Sequence, residues 1–467
     1  MKQKTVIATF LASALIGGFS ISNAYAQSVV EAVNAAISYN PQLEQVRARI
    51  GGAEQEENAV RSDFFPGLSV GLTGGRIFSN NATSRGLVTT RGAAYSGFGE
   101  VNASLQQPLF DGFGTLNRLR SSKSQLQSAN LELQDVSDQI AFQTVQAYLN
   151  VLQARSILIR LQEQEKKVDD YYNRIKTNVE DGGADEAQLQ QARDVQVLLN
   201  GFVADYNGQL RTAESEYIAL TGIPPFIEMI VPTFDIAFIP PSIPEAIAIA
   251  LSEHPALHGS KKDTQSADHD IDAEKALLYP NVLGELSYSK SDRREEIGGE
   301  TEDRRALLRL NWDIETGGGQ YARIKQRRYE HAEALAREKE IRMQIENDIR
   351  IAYSELDVSK KRLINQKERV DLNEKLFETF EAQFEGGIVD LLQLMQADNQ
   401  LFNTNVEKII LQYRHLSSQF AVVASIGKLQ FALNNGASLP ALAEPQIQSD
   451  QEPLEMAQEV SADEPQE

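Results

Sequence analysis

The feature that most restricts how this chain can fold is a seven-residue periodicity sustained far longer than a compact globule could use. Leu119, Leu126, Leu133, Ile140, Ala147, Ala154, Leu161, Val168 and Ile175 recur at every seventh position without a gap. Unbroken heptads specify helices that pack along a seam. A helix over residues 115–178 would extend roughly 95 Å at about 1.5 Å per residue. Ala192, Leu199, Tyr206, Ala213 and Leu220 continue the theme, with Leu189, Val203, Leu210 and Tyr217 as a second stripe. Further on, Leu356, Leu363, Val370, Phe377 and Phe384 repeat it, followed by Ile388, Met395, Phe402, Ile409, Leu416 and Val423.

The two sets of heptads belong to an internal duplication. Glu31-Ala32 matches Glu245-Ala246, Asn40-Pro41 matches His254-Pro255, and Phe65-Pro66 matches Tyr279-Pro280, all at one offset. At a slightly shorter offset Ala147-Tyr148 matches Ala352-Tyr353, Gln191-Ala192 matches Gln396-Ala397, and Gly222 matches Gly427. A repeat of this size dictates architecture. The first copy spans 27–222 and the second 243–428, and the Pro-rich stretch 223–242 between them reads as a linker. Each copy opens with a helix broken by Asn40-Pro41 or His254-Pro255, passes through two strands, and ends in two long helices. The expected strands are about 66–76, 97–109, 280–292 and 303–314; the expected long helices are about 115–180, 184–221, 318–385 and 388–426. Gly182-Gly183 and Gly386-Gly387 stand where each long helix must turn back.

The strands alternate. Leu68, Val70 and Leu72 are interleaved with Ser69, Gly71 and Thr73, and Val101, Ala103 and Leu105 with Asn102, Ser104 and Gln106. Val282, Gly284, Leu286 and Tyr288 form the same pattern in the second copy, as do Ala306, Leu308, Leu310 and Trp312. Period two with one apolar face, over about ten residues, suits a strand that crosses a membrane. Phe65, Phe110, Tyr279 and Trp312, with Phe64, gather at one end as an aromatic girdle would. The other end carries the polar loops Ser79–Ala94 and Arg294–Asp303. Four strands cannot close a barrel, and an open edge cannot face lipid. The chain must therefore join copies of itself, and three copies give twelve strands and a continuous helical tube.

Residues 1–26 have the three parts of an export signal: Lys2 and Lys4, an apolar run from Val6 to Phe19, and the cleavage site Ala24-Tyr25-Ala26. At the other end, 429–467 reads as an acidic disordered tail with eight acids and no base after Lys428. The net charge of −21 argues against a nucleic-acid partner, and the absence of Cys removes disulfides, thiolate metal sites and a lipid-anchored N-terminus. His254 and His258, with Asp268, His269 and Asp270 downstream, are the nearest approach to a metal cluster. Pro255 directly after His254, and Asn40 in the duplicate, point instead to a helix-start residue. Gly317-Gly318-Gly319 lacks the Lys-Ser/Thr of a phosphate loop. No catalytic, cofactor-binding or metal site is expected, and the chain is read as a conduit rather than an enzyme.

This order of elements resembles the TolC family of outer-membrane channel-tunnels over residues 29–428, nearly the whole mature chain. The likeness rests on Glu31-Ala32 through Asn40-Pro41-Gln42-Leu43, on Phe65-Pro66 and Tyr279-Pro280, and on the Gly-Gly turn followed by Val389-Asp390-Leu391-Leu392. The closing Ala424-Ser425-Ile426-Gly427-Lys428-Leu429 resembles the type I secretion branch. The resemblance implies a mixed fold: a twelve-stranded membrane β-barrel in the outer membrane and a long α-helical coiled-coil barrel in the periplasm, built by a homotrimer. It implies a periplasmic adaptor (membrane fusion) protein and an inner-membrane transporter as partners, with the turns at Gly182, Gly183, Gly386 and Gly387 as adaptor contacts. It also implies an iris at the periplasmic end, closed by aspartates just after the helical turns. Here Gln393 and Gln396 occupy those positions in the second copy and Gln188 in the first, so the pattern departs from the family's. Asp185, Glu186, Asp390 and Asp398 are the nearby acids; Asp390 and Gln393 are expected to line the constriction. The function so implied is the export duct of a type I protein secretion system. The alternatives are the outer component of a multidrug or metal efflux pump, and a periplasmic coiled-coil scaffold without a pore.

Overall fold

The computed structural model describes residues 26–79, 94–293, 300–436 and 438–440. All but Ala26 of the expected signal peptide, the centres of the two polar loops and the acidic stretch beyond Pro440 lie outside those residues. Helices α1 (Val29–Tyr39) and α2 (Pro41–Ser62) lead into strands β1 (Gly67–Ser79) and β2 (Ala94–Phe110), then α3 (Gly114–Glu180) and α4 (Glu186–Thr221). A short strand, β3 (Pro232–Phe234), lies between the halves. The order then returns as α5 (Ile243–Glu253), α6 (Pro255–Ala276), β4 (Asn281–Arg293), β5 (Glu300–Asn311), α7 (Gly319–Glu385) and α8 (Leu391–Ser425). Helix α9 (Leu429–Asn434) and strand β6 (Ser438–Pro440) close the described chain.

Each opening helix breaks at an X-Pro step for the same reason. Proline has no N–H to give but suits the first position of a new helix. The residue before it caps that helix: Asn40 Oδ1 accepts from the Gln42 N–H at 2.9 Å, and His254 Nδ1 from the Ala256 N–H at 3.2 Å. The cap role displaces the metal-cluster alternative, and burial pushes His254 down to about 4.

Helices α3 and α7 are each 67 residues long, roughly 100 Å. On α3 every heptad position from Ile140 to Ile175 is buried, and Leu119, Leu126 and Leu133 are half-buried. The upper half of α3 lies between α2 and α6, where Ser121 and Ser266 share a 2.8 Å hydrogen bond and small side chains allow close approach. Its lower half lies between α4 and α8, while α7 packs on α6 and then on α8. At mid-length the core gathers α1, α3, α4, α8 and α9 around Tyr148. The Tyr148 hydroxyl bridges the carbonyls of Gln27 (2.6 Å) and Ile230 (2.7 Å), tying the segment just before α1 to the inter-repeat segment.

Two expectations need correction here. Residues 223–242 are not only a linker, since β3 and a 3-10 turn at Ile236–Phe238 form within them. Nor does the tail begin at Leu429. Leu429, Ala432 and Leu433 of α9 are buried in the waist core, Asp138 caps the helix by accepting from the Gln430 N–H (3.0 Å), and β6 pairs antiparallel with β3. Apolar side chains close to Gly427 outweighed the acidic composition that follows. Strand bounds also shift by up to three residues; β5 runs from Glu300 and stops at Asn311, leaving Trp312 outside it.

Candidate functional site

The four long strands form one antiparallel sheet in the order β1-β2-β4-β5, with β1 and β5 at its free edges. Its register decides its chemistry. Leu68 lies opposite Leu105, which lies opposite Leu286, which lies opposite Ala306; Val70, Ala103 and Tyr288 form the next row. Because successive residues alternate faces, Leu72, Val101, Leu308 and Leu310 share that same face. It is bare: Leu72 is 76% exposed, Leu308 77% and Leu68 69%. The opposite face is polar and internally paired, with Ser69 bonded to Ser104 at 2.7 Å and Arg309 to Glu285 at 2.8 Å.

Phe65, Phe110, Tyr279 and Trp312 all come to the helix end of the sheet and all are exposed. Trp312 Nε1 donates to the Leu278 carbonyl (3.2 Å), and Phe110 meets Phe113 edge-on with ring centroids 5.6 Å apart. A second aromatic pair escaped the sequence reading. Phe78 and Tyr95 stack at 5.1 Å toward the loop end, on the leucine-bearing face. The visible signal was an aromatic on each side of the same polar loop.

At the far end of the helices, the two turns are built alike but one residue out of step with their Gly-Gly pairs. Gly182 and Gly387 hold φ of 78° and 71°, the left-handed region that ends a helix without a Cβ penalty. The next N–H in each turn, on Gly183 and on Ile388, returns to Asn178 O and Gln383 O at 2.8 Å. Gly386 sits in ordinary right-handed geometry, so the backbone freedom of glycine is not required there.

Asp185 and Asp390 are equivalent N-caps. Asp185 Oδ1 accepts from the Ala187 N–H (3.3 Å), and Glu186 accepts from Gln190 Nε2 (2.9 Å). Asp390 forms a full capping box: its Oδ1 accepts from the Gln393 N–H at 2.8 Å, and Gln393 Oε1 accepts from the Asp390 N–H at 3.2 Å. Asp390 thus precedes the helix rather than sharing a helical face with Gln393. Its other oxygen accepts from Gln188 Nε2 at 2.9 Å, so the two turns touch through this pair. Gln396 is exposed on the first turns of α8. Behind the tips, Tyr171, Ile175 and Ala192 pack on Leu391, Leu392 and Met395.

Asp398 does not belong with the solvent-facing acids. It is 2% exposed, accepting from Gln164 Nε2 (2.8 Å) and Lys167 Nζ (3.2 Å) between α3 and α8. Burial, reinforced by the Asp398 charge, pushes the nearby Tyr171 hydroxyl up to about 12.

The model of one family, described as outer membrane efflux protein, matches residues 32–222 and again 246–428. The chain belongs to that family. It is an outer-membrane protein. Outer membrane efflux protein BepC of Brucella suis biovar 1 (strain 1330) is 22% identical, over 92% of this chain and 91% of its own length. Outer membrane protein TolC of Escherichia coli (strain K12) is 22% identical, over 95% of this chain and 91% of its own. In fold the chain matches the Campylobacter jejuni CmeC outer membrane channel with a TM-score of 0.74 and 15% identity, covering 92% of this chain and 94% of that one. The architecture of this efflux-family member is therefore that of TolC-like channels: mostly helix, with a small sheet at one end of very long helices. No helix among the described residues is long and apolar enough to cross a membrane.

Proposed function

We propose that three copies of this chain form a passive export duct: a twelve-stranded barrel in the outer membrane continued by a helical tunnel through the periplasm. One observation carries the proposal. A single register aligns the apolar residues of all four strands on one bare face, while among the described residues the outer edges of β1 and β5 are unpaired. An unpaired edge is costly in lipid, and closure with copies of the same sheet removes it. Exposed Tyr321, Tyr329, Met343 and Ile351 on the open side of α7 would be covered by the same closure. Phe65, Phe110, Tyr279 and Trp312 would then mark one bilayer boundary, and Phe78 and Tyr95 would lie toward the other.

The narrow end would be the ring of tips. Asp390 is the acid best placed to line it, with Gln188 and Gln393 bonded to it and Asp185, Glu186 and Gln396 around it. Three copies would bring three Asp390 carboxylates together, favouring cations. The turns at Gly182, Gly183, Gly386 and Gly387 would meet a periplasmic adaptor, and an inner-membrane transporter would supply the energy. In planar bilayers Asp390→Ala should reduce cation selectivity and block; unchanged currents would move the constriction elsewhere.

For cargo, the family description and the name of the BepC relative favour small-molecule efflux over the type I secretion reading. The closing Ser425-Ile426-Gly427-Lys428-Leu429 keeps protein secretion as the second reading. Deleting the gene separates them: broad drug hypersensitivity supports efflux, and loss of a large extracellular protein supports type I secretion. Normal growth and secretion, with the protein recovered from the aqueous periplasm, would leave the pore-free scaffold.

A further inference from the structure

The end of the described chain is held in a definite place, and the segment beyond it has a strong charge. Ser438 of β6 pairs with Phe234 of β3, and the Phe234 ring meets Phe420 of α8 edge-on with centroids 4.8 Å apart. Two residues before Phe420, Ser418 shares a 2.9 Å hydrogen bond with Ser359 of α7. Residue 360 follows. Two residues apart on a helix, Phe420 and Ser418 point to roughly opposite sides, so α8 stands between β6 and the middle of α7, which is about one helix diameter (~10 Å) away. Residues 441–467 carry eight carboxylates and no base.

What lies within reach differs on the two sides of the waist. Along α3 above it stand Glu132, Asp135 and Asp138, which would repel the segment; Asp135 is pushed up to about 6 by burial and then by Asp138. On α7 below it, residues 360–369 hold Lys360, Lys361, Arg362, Lys367 and Arg369 against the single acid Glu368. All five cations are exposed, and among the described residues only Lys361 has a carboxylate partner, Asp357. Lys360 and Lys367 flank the α7–α8 groove closely enough that, after burial, their charges help hold His415 below its ordinary value. A chain of this length at random-coil dimensions spans about 30 Å, which more than covers the ten-residue collar at about 15 Å.

We propose that the C-terminal segment 441–467 docks by charge on this collar of its own chain, as an anionic strap across α7 just below the waist. The strap neutralises a cationic surface that would otherwise face the periplasm or an anionic ligand. This inference does not depend on what the duct carries.

Carbodiimide coupling of the detergent-purified full chain tests it, because the reagent joins carboxylates to lysines already in contact. Mass spectrometry should find Glu444, Asp450, Glu452 or Glu455 linked to Lys360, Lys361 or Lys367. Mixing isotope-labelled and unlabelled chains should show those links to be within one chain. Their yield should fall roughly ten-fold in 1 M salt, where screening acts beyond about 3 Å, and should vanish in K360Q/K361Q/K367Q. These are exposed positions whose replacement leaves the helix intact. Links from the collar lysines to a neighbouring chain's Asp205, Glu214 or Glu216, with none to the tail, would overturn the proposal. So would tail links spread evenly over lysines elsewhere, or no tail links at all.

Discussion

Helices α3 and α7 are duplicates of identical length with opposite surroundings. Of 67 residues each, 26 are buried on α3 and eight on α7. The heptad runs unbroken on α3 from Leu119 to Ile175, whereas on α7 it holds from Ile349 to Phe384 and meets Arg342 and Arg328 above that, so both composition and neighbours differ. Helix α3 is surrounded within its own chain by α1, α2, α4, α6, α8 and α9, whereas among the described residues α7 packs on α5, α6 and α8. A periodic sequence therefore specifies a seam without saying whose residues fill it. The α7 stripe itself packs inward through Leu356, Val370, Phe377 and Phe384, and it is Tyr321, Tyr329, Met343 and Ile351 on another face that stay exposed.

The largest expected effect tests the enclosed helix. Ile157→Ala removes a fully buried side chain from α3 and should cost about 3 kcal/mol of stability, read as a lowered urea midpoint. The corresponding loss on α7, Ile351→Ala, should stay within about 0.5 kcal/mol for the isolated chain. Equal losses would erase the contrast. Asp398→Ala comes next, at about 2 kcal/mol, because it strands the buried Gln164 amide and removes the partner of the exposed Lys167. A thermal midpoint unchanged from wild type would show that Asp398 is not held between the two helices. Ile351→Lys should leave the chain folded but weaken assembly by about 1–2 kcal/mol per interface, seen as loss of the heat-modifiable oligomer on unboiled gels. An undiminished oligomer band would mean that this stripe of α7 is not where copies meet.

The smallest effect compares the two broken opening helices. His254 is depressed by burial to about 4, against about 6.5 for the unfolded chain. The unfolded state therefore gains its proton first as pH falls. The stability from this group is complete above about 6.5 and drains away down to about 4. From pH 7 to pH 6 the loss should be about 0.7 kcal/mol. His254→Asn, the residue its duplicate carries at position 40, keeps the cap and should flatten that part of the pH profile. A variant as pH-sensitive as wild type would put the titration on other groups.

Much of this was legible because it repeats. The heptads gave α3, α4, α7 and α8 to within a few residues at each end, and the alternation of Leu68, Val70 and Leu72 gave the bare face of β1. What escaped was short or paired across distance. Helix α9 is six residues long, too brief for any period to register, and β3 with β6 is held by contacts made 200 residues apart along the chain. The Asp398 site did leave a trace. Asp398 lies between Met395 and Phe402, and Gln164 between Leu161 and Val168, both at seam positions where a polar side chain needs a partner. Two such anomalies in facing seams could have been joined before any coordinates existed. At the tips, the three-residue spacing of Asp390 and Gln393 also suits two residues on one helical face. A carboxylate three residues ahead of an amide forms a cap equally well, and the cap is what formed.

The matched length of α3 and α7 has a bearing on how such a molecule could change over generations. Both must reach the same level if Gln188 is to meet Asp390. An insertion in one copy alone would leave its tip hanging past the other. Growth or shrinkage of the span is thus restricted to coordinated steps of seven residues in both duplicates, each step shifting the mouth by about 10 Å. If the proposed duct forms, the distance across the cell envelope that this lineage can serve is quantised.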